Sequence, residues 1–280
     1  MSHGTVAVMA TDAALDRGAI ATALALTEPE EAHLDIHCLG IESTPPDAFM
    51  AGPALMLTMP DADSAVARAE ALERELRPLI PAHRGNVQLH RQHVREGLIG
   101  QQVGELARFA DRVVATAPYG PEARPLQVAV LEAALFGGGL PVIVVPDGGA
   151  EIAPRPERLM VAWDGSREAM VAARAALPML RRARLVDVVI VDPEVQVGDR
   201  SDPGGDIGLF LARNGVRVEV SVLARSRFRN SEVLRRHAID TGAEAVVMGA
   251  YGHSRLREQL FGGTTREMLT DARLPLILAR

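Results

Sequence analysis

The fold of this chain is decided by Val246-Val247-Met248-Gly249-Ala250-Tyr251-Gly252, a stretch near the C-terminus. Residues 245–248 are apolar and mostly β-branched, which predicts a short strand buried on both faces of a sheet. Gly249 and Gly252 then permit a tight turn and allow the backbone to come close to a bound group. The stretch therefore predicts a buried strand that ends at a ligand site.

A second glycine pair, in Gly262-Gly263-Thr264-Thr265, is separated from Gly252 by nine residues. Thr264 and Glu267 have the spacing of a capping box, which predicts a helix over residues 266–271. Free N–H groups at the start of a helix, preceded by glycines, make a site for phosphate. The alternative is that two glycine turns only join a strand to a helix, because Gly-rich motifs also match by chance.

Strands and helices alternate along the whole chain, and the pattern occurs twice. The first copy has predicted strands at 5–10, 33–41, 86–94, 111–116 and 141–145, and helices at 14–26, 64–79, 98–109 and 126–135. The second has strands at 159–164, 185–191, 216–224, 245–249 and 275–278, and helices at 166–180, 207–212, 232–239 and 266–271. Such alternation predicts parallel sheets covered on both faces. The expected fold class is α/β, with two doubly wound, five-stranded domains at 1–148 and 156–280 related by a pseudo-two-fold.

The two copies differ where ligand chemistry is expected. Ala117-Pro118-Tyr119-Gly120 in the first copy parallels the motif that begins at Gly249, but Ala117 replaces its first glycine. Val130 stands where the later glycine would be. The first domain is therefore predicted to keep the fold without the phosphate site.

Each copy ends in a short apolar strand, at 141–145 or 275–279, with nothing after it in that copy to cover its edge. An uncovered apolar edge favours pairing with another strand. The linker gives a high effective concentration for pairing within one chain, so we expect an antiparallel, built-in pseudo-dimer. The alternative is pairing between chains in a domain-exchanged dimer.

Composition excludes several classes of protein. The chain has 280 residues, a net charge of −6 and no lysine, which excludes Walker A, protein-kinase and Schiff-base chemistry. No segment is densely basic, so no nucleic-acid surface is expected. The apolar runs are too short for a membrane span and no signal pattern is present, so a cytoplasmic location is expected. Cys38 is the only cysteine, which excludes an internal disulfide.

The histidines do not predict a metal site. His33 and His37 share a strand face but lie roughly 13 Å apart by strand rise. His90 and His93 point to opposite faces of their strand. No nucleophile–base pair is present in the sequence either, so no catalytic residue is assigned and any ATP hydrolysis is expected to be slow.

The arrangement Gly-x2-Gly-x9-Gly after a fourth strand resembles the nucleotide motif of the universal stress protein family. The family pattern continues with Ser or Thr; Gly263 stands there in this chain, and Thr264 or Thr265 could supply the hydroxyl instead. The resemblance implies a Rossmann-like, adenine-nucleotide-binding fold. It also implies a regulator in a stress response that binds ATP, with or without Mg²⁺, in its second domain.

The family resemblance also implies roles for individual residues. Asp164 would contact the adenosine part of the ligand, although it could also only cap the following helix. Tyr251 stands where the family commonly has histidine. The backbone of Ala162 and Ile190 would contact the adenine. The contacts implied around the ribose and phosphates are Met248, Gly249, Tyr251 and Gly252, with Gly262, Gly263, Thr264 and Thr265 beyond.

A Met-rich connection at 43–62 is the other notable feature. Its apolar residues would either pack back onto the first domain or form an adaptable surface for a protein partner. The competing interpretation of the whole chain is a scaffold or partner-binding protein with a vestigial nucleotide site. Whether the assembled protein is a monomer or a homodimer is left open by the sequence.

Overall fold

The computed structural model describes residues 4–28, 31–43, 62–81, 86–119, 124–148, 152–193, 203–225, 227–250 and 263–280. The strands are β1 (Thr5–Ala10), β2 (His33–Glu42), β3 (Val87–Arg95), β4 (Arg112–Thr116), β5 (Val142–Val145), β6 (Arg158–Ala162), β7 (Leu185–Val191), β8 (Val218–Leu223), β9 (Val246–Gly249) and β10 (Leu276–Ala279). The α-helices are α1 (Ala13–Thr27), α2 (Ala62–Leu76), α3 (Ile99–Ala107), α4 (Pro125–Glu132), α5 (Arg167–Ala175), α6 (Leu177–Leu180), α7 (Gly205–Arg213), α8 (Asn230–Asp240) and α9 (Gly263–Thr270). A π-helical turn, Ala133–Gly138, extends α4.

All of these strands form one sheet in the order β3-β2-β1-β4-β5-β10-β9-β6-β7-β8. The strands of each half are parallel to one another, and β5 pairs antiparallel with β10. From either edge of the sheet to its centre, the equivalent strands of the two halves follow in the same order. This arrangement is the one that the predicted pseudo-two-fold requires. The α/β fold class and the antiparallel pairing within one chain are therefore confirmed.

Helices cover both faces of the sheet and bury two hydrophobic cores. Residues of α1, α2, α5, α6 and α7 pack into one core, and residues of α3, α4, α8 and α9 pack into the other. Successive strand residues point to opposite faces, so Ile190 belongs to the first core and its neighbour Val189 to the second. Both cores continue across the β5–β10 pair, because each includes residues from both strands.

Two predicted elements of the second half have different bounds in the structure. The strand predicted to reach Asp164 ends at Ala162. The helix predicted over 166–180 is divided into α5 and α6, with Pro178 in the first turn of α6. Proline has no N–H to donate and its ring crowds the preceding turn, which accounts for the division.

The histidines show one contact that the sequence analysis did not consider. His37 of β2 is opposite His90 of β3, and their rings stack with centroids 5.1 Å apart. Nε2 of His90 also lies 3.0 Å from Oδ1 of Asp35. Burial and the neighbouring His90 lower the pKa of His37 to about 4. Within the described part of the chain, no group of three or more His, Cys, Asp or Glu side chains is arranged to hold a metal ion.

Residues 44–61, which make up nearly all of the Met-rich connection, lie outside the described residues. Among the helices that are described, none has the length and apolar character required to cross a membrane.

Candidate functional site

A cavity of about 190 Å³ lies at the carboxyl ends of β6, β7 and β9. In the order of the sheet β6 lies between β9 and β7, and α5 and α9, which follow β6 and β9, pack on opposite faces. Ligands of open α/β sheets bind at such a switch point, beyond the carboxyl ends of the strands. The cavity is lined by Ala162, Trp163, Asp164, Ser166, Glu168, Val189, Val191, Asn230, Leu234, Met248, Gly249, Gly263, Thr264 and Thr265.

Seven of the predicted nucleotide contacts line this cavity, namely Ala162, Asp164, Met248, Gly249, Gly263, Thr264 and Thr265. The side chain of Ile190 is buried in the core on the opposite face, so only the backbone of Ile190, for which the contact with adenine is predicted, could reach the cavity. Its neighbours Val189 and Val191 line the cavity instead. Tyr251, Gly252 and Gly262 lie outside the described residues.

Asp164 is exposed at the mouth of the cavity and takes part in the turn that leads into α5. Its Oδ1 accepts a hydrogen bond of 3.0 Å from the backbone N–H of Ser166. The helix cap itself is Ser166, whose Oγ accepts a 3.1 Å hydrogen bond from the N–H of Ala169. The alternative that Asp164 caps the helix is therefore wrong, and its Oδ2 has no hydrogen bond to the described residues.

The equivalent aspartate of the first half is used differently. Oδ1 of Asp12 accepts hydrogen bonds of 2.9 Å from the N–H groups of both Ala14 and Leu15, so Asp12 is the N-cap of α1. Each half thus has an aspartate after its first strand, but only Asp12 is the N-cap of the helix that follows.

Gly249 is required by packing inside the protein. A Cβ atom at this position would lie 2.5 Å from the backbone N of Ala169 and 2.6 Å from the carbonyl carbon of Glu168. The start of α5 therefore approaches β9 too closely for any side chain at Gly249. The sequence analysis attributed the need for glycine at this position to a bound ligand. The structure shows instead that the backbone of α5 comes close to Gly249.

The helix α9 begins at Gly263, three residues earlier than predicted, so Thr264 and Thr265 belong to its first turn. The predicted capping box is wrong because the Glu267 side chain binds α8 instead. Ser231 donates a hydrogen bond of 2.6 Å to Oε2 of Glu267, and Arg229 also donates to that carboxylate. The hydrogen bond from Ser231 is the main reason that the pKa of Glu267 is lowered.

Sequence reasoning missed the contribution of α8 to this cavity. Asn230 and Leu234 stand one helical turn apart on the same face of α8, and both line the cavity. Oδ1 of Asn230 is buried and has no hydrogen-bond partner among the described residues. No glycine motif marks the start of α8, so only the packing of the helices against the sheet reveals these residues.

The polar groups in the corresponding part of the first half bind one another. Asp16 is 3% exposed and accepts hydrogen bonds from the N–H groups of Thr11 (2.7 Å) and Asp12 (3.0 Å) and from Oγ1 of Thr116 (2.6 Å). Gln127 donates a further 2.8 Å hydrogen bond to Oγ1 of Thr11. Burial raises the pKa of Asp16, while the hydrogen bond from Thr116 opposes that shift. This network lies at the carboxyl ends of β1 and β4, where the second half has its cavity.

The start of α4 carries a second polar contact of the first half. Arg124, immediately before that helix, forms a bidentate ion pair with Asp147, with N–O distances of 2.6 and 2.9 Å.

The two halves also meet at an aromatic ring, since the guanidinium of Arg266 lies 5.9 Å from the ring centre of Tyr119. The helix α9 therefore contacts the cavity through Thr264 and the first half through Arg266.

Comparison with known proteins finds a family match for the second half of the chain. Residues 156–280 match the sequence model of the universal stress protein family. Universal stress protein Slr1230 of Synechocystis sp. is 31% identical over 70 residues, which are 25% of this chain and 23% of that protein. The match thus spans less than a quarter of that curated relative.

Solved structures show the same fold over the entire chain. A universal stress protein from Archaeoglobus fulgidus superimposes with a TM-score of 0.71 at 12% identity, covering 100% of this chain and 97% of the other. A functionally unknown protein, PA1789 from Pseudomonas aeruginosa, has a TM-score of 0.59 at 14% identity and covers 99% and 92%. Residues 156–280 therefore match the universal stress protein family, and the first half repeats the same α/β fold.

Proposed function

We propose that the second half of this protein binds ATP or another adenine nucleotide and that binding serves regulation in a stress response. The match of residues 156–280 to the universal stress protein family supports the stress-response role. The observation that carries the nucleotide assignment is the cavity at the carboxyl ends of β6, β7 and β9. We call the part lined by apolar side chains of the strands and α8 its apolar end, and the part lined by the first turn of α9 its polar end.

The apolar end of the cavity suits a nucleobase. Ala162, Val189, Val191, Leu234 and Met248 line it, and an apolar pocket with a few polar groups is typical of sites for small organic ligands. Asp164 stands at the mouth with an oxygen free to accept hydrogen bonds from ribose hydroxyl groups.

The polar end suits phosphate groups. Gly263, Thr264 and Thr265 form the first turn of α9, where N–H groups have no partner within the helix and the helix dipole favours negative charge. A methyl group built onto Gly263 would meet no atom of the described residues within 4 Å, so these residues leave space for a ligand beside it. If Mg²⁺ accompanies the phosphates, the carboxylates of Asp164 and Glu168 are the oxygen ligands that line the cavity.

The described lining of the cavity contains few groups that could catalyse rapid hydrolysis of ATP. Among the described residues that line it, the only side chains of the kinds that usually act as a general base are the carboxylates of Asp164 and Glu168. The chain contains no lysine to stabilise a transferred phosphoryl group. We therefore propose a nucleotide-binding regulator with at most slow ATPase activity.

One observation favours a second candidate, a scaffold or partner-binding protein with a vestigial nucleotide site. Gly249 is explained by the close approach of Glu168 and Ala169, so this glycine would be needed in the fold with or without a ligand. The nucleotide content of freshly purified protein distinguishes the two candidates, since a vestigial site would carry none.

A matched pair of variants tests the assignment to the second half. Asp164→Asn keeps a residue suited to the turn before α5 but removes the carboxylate at the cavity. Asp12→Asn makes the same change at the equivalent position of the first half, where Asn is an equally good helix cap. Calorimetric titration with ATP should show weaker binding for Asp164→Asn and unchanged binding for Asp12→Asn. Equal affinities in both variants would contradict the proposed site.

A further inference from the structure

The two outer strands of the sheet, β3 and β8, hold equivalent positions in the two halves, and each pairs with a neighbouring strand on one side only. Backbone N–H and C=O groups on the outer side of an edge strand are available to pair with a further strand. The two edges carry different side chains, and this difference indicates what each edge can bind.

The edge at β3 is charged and lies against α2. Arg91 of β3 donates a 2.9 Å hydrogen bond to Glu70 and another hydrogen bond to Glu73, both on α2. Further along the strand, Nε2 of His93 lies 2.6 Å from Oε2 of Glu42. Charged side chains and a covering helix are features by which proteins keep an edge strand from pairing with another chain. The first half is therefore protected at its edge.

The edge at β8 is apolar and more open. Counted outward from the β5–β10 joint, the alignment of the strands places Val222 where β3 has Arg91, and Val220 where β3 has Leu89. Val220 and Val222 are 39% and 52% exposed. The helix that packs on β8, α7, has 9 residues, whereas α2 has 15. As far as the described residues go, the second half leaves uncovered an edge that the first half protects.

The hydrogen bonds between β8 and β7 show which backbone groups of β8 face outward. The N–H of Val186 donates a 2.8 Å hydrogen bond to the carbonyl oxygen of Arg217. At the other end of the strand, the N–H of Asp192 donates one of 2.8 Å to the carbonyl oxygen of Leu223. Alternate residues of a strand direct their backbone groups to the same side. The residues whose N–H and C=O groups point to the open edge are therefore Val218, Val220 and Val222.

We propose that β8 is a dimerisation surface, which pairs antiparallel with β8 of a second copy of this chain about a two-fold axis through Val220. With Val220 opposite itself, Val218 lies opposite Val222 of the second copy. Each of these pairs exchanges both N–H···O=C hydrogen bonds, which gives about six bonds in all. The paired valines contact one another on a single face of the extended sheet. The proposal is independent of nucleotide binding.

The joint between β5 and β10 shows that this fold accommodates such a pairing. Ile143 and Ile277 hold equivalent positions in the two halves and lie opposite each other in an antiparallel pair, and one hydrophobic core continues across them. Pairing of two β8 strands would repeat this joint at the outer edge and would continue the sheet into a second chain.

Charge favours a second β8 strand as the partner. Pairing of β8 with the β3 edge of another copy would place valines beside Arg91, and such a head-to-tail contact builds open filaments. Glu219, the charged residue of β8, points to the face opposite the valines and already accepts a hydrogen bond from Arg158. Two paired β8 strands therefore bury no unpaired charge.

The size of the contact sets the expected affinity. About six residues of β8 take part from each copy, whereas a standard interface uses roughly 20–30 residues on each side. We therefore expect a weak dimer, which dissociates in the micromolar range or above.

Analytical ultracentrifugation of the full-length protein over a series of concentrations tests this surface. The unmodified protein should pass from monomer to dimer as its concentration rises. Val222→Lys places a charge between the two strands and should weaken dimerisation at least about tenfold. The matched control is Ile239→Lys, which changes another exposed apolar residue, on α8 at the other face of the sheet, and should leave dimerisation unchanged.

Val220→Pro removes an N–H group at the centre of the proposed joint. That N–H points away from β7, and proline is tolerated at such a position of an edge strand, so the variant should keep its circular dichroism spectrum. It should be monomeric at concentrations where the unmodified protein is a dimer. The proposal is overturned if the unmodified protein stays monomeric at every concentration, or if folded Val222→Lys and Val220→Pro dimerise as it does.

Disulfide formation tests the position of the two-fold axis. In a Cys38→Ala background, Val220→Cys should give a disulfide-linked dimer on oxidation with diamide. Hydrogen-bonded antiparallel pairs have Cα atoms about 5.5 Å apart, which is within the range that a disulfide spans. Val222→Cys should not link, because Val222 lies opposite Val218. Linking of Val222→Cys without linking of Val220→Cys would overturn the proposed pairing.

Discussion

Ile143 of β5 lies directly opposite Ile277 of β10, at the centre of the antiparallel pair that joins the two halves. Both side chains are buried, at 1% and 2% exposure, and both belong to the core that includes residues of α1 and α5. The two halves therefore share one continuous sheet and one continuous core on this face. We expect such a protein to unfold as a single cooperative unit.

Ile277→Asp tests the shared core. The substitution buries an unpaired carboxylate at the joint, which should lower the free energy of unfolding by several kcal/mol. Differential scanning calorimetry should then show either a large drop in Tm or two separate transitions. Ile239→Asp is the control, because Ile239 is 49% exposed on α8 and should leave the single transition almost unchanged. A variant at Ile277 that melts like the unmodified protein would contradict a shared core.

The glycines of the motif should differ sharply in their tolerance of alanine. Gly249→Ala forces a methyl group to within 2.5 Å of the backbone N of Ala169, and should destabilise the protein by about 1–3 kcal/mol. The added methyl group of Gly263→Ala meets none of the atoms described by the structure within 4 Å, so this variant should change stability by less than about 1 kcal/mol. Urea denaturation of the two variants measures both changes. Equal stability of the two would show that α5 can move away from β9.

His37 should make stability depend on pH. Burial and the nearby His90 lower its pKa from 6.5 to about 4 in the folded state, so the folded protein binds this proton less well than the unfolded chain. The contribution to stability is complete above pH 6.5 and is lost as the pH falls from 6.5 toward 4. It amounts to about 3 kcal/mol at most, since one pKa unit corresponds to about 1.4 kcal/mol.

Urea denaturation at pH 7 and pH 4.5 measures this effect. His37→Gln should reduce the loss of stability between the two pH values, because glutamine does not titrate. His33→Gln changes an exposed histidine on the same strand and should keep the pH dependence of the unmodified protein. If His37→Gln and His33→Gln show the same pH dependence of stability, the burial of His37 is not the cause of that dependence.

The stoichiometry of nucleotide binding follows from the difference between the halves. In the first half Asp16, Thr11, Thr116 and Gln127 already bind one another at the strand ends. Calorimetry should therefore give about one ATP per chain. Two equivalent sites would mean that this network opens to admit a ligand.

Much of the fold could be predicted because strand and helix have different hydrophobic periods. The strands were placed within a few residues, and the uncovered apolar strands at 141–145 and 275–279 indicated how the halves join. The register of that joint could not be predicted, because short apolar strands offer several neighbouring alignments. Only the structure shows that Ile143, rather than Val144, lies opposite Ile277.

Residues of the candidate site could be predicted only where they lie close in sequence to the glycine motif, or at or just after the end of a strand. Thr264, Thr265, Met248 and Asp164 satisfy that condition and line the cavity. Asn230 does not, because it reaches the cavity through the packing of α8 against the sheet. The stack of His37 on His90 was missed for a related reason, since it depends on the alignment of β2 with β3.

The reversal of strand direction between β5 and β10 has a geometric consequence for recognition. The carboxyl ends of the first-half strands and those of the second-half strands lie at opposite ends of the one sheet. The cavity near Asp164 therefore opens away from the polar network around Asp16. If a nucleotide binds in the cavity as proposed, a protein that recognises the bound nucleotide must approach the end of the sheet near Asp164. The two ends of the sheet thus differ chemically, although the arrangement of the strands is nearly symmetric.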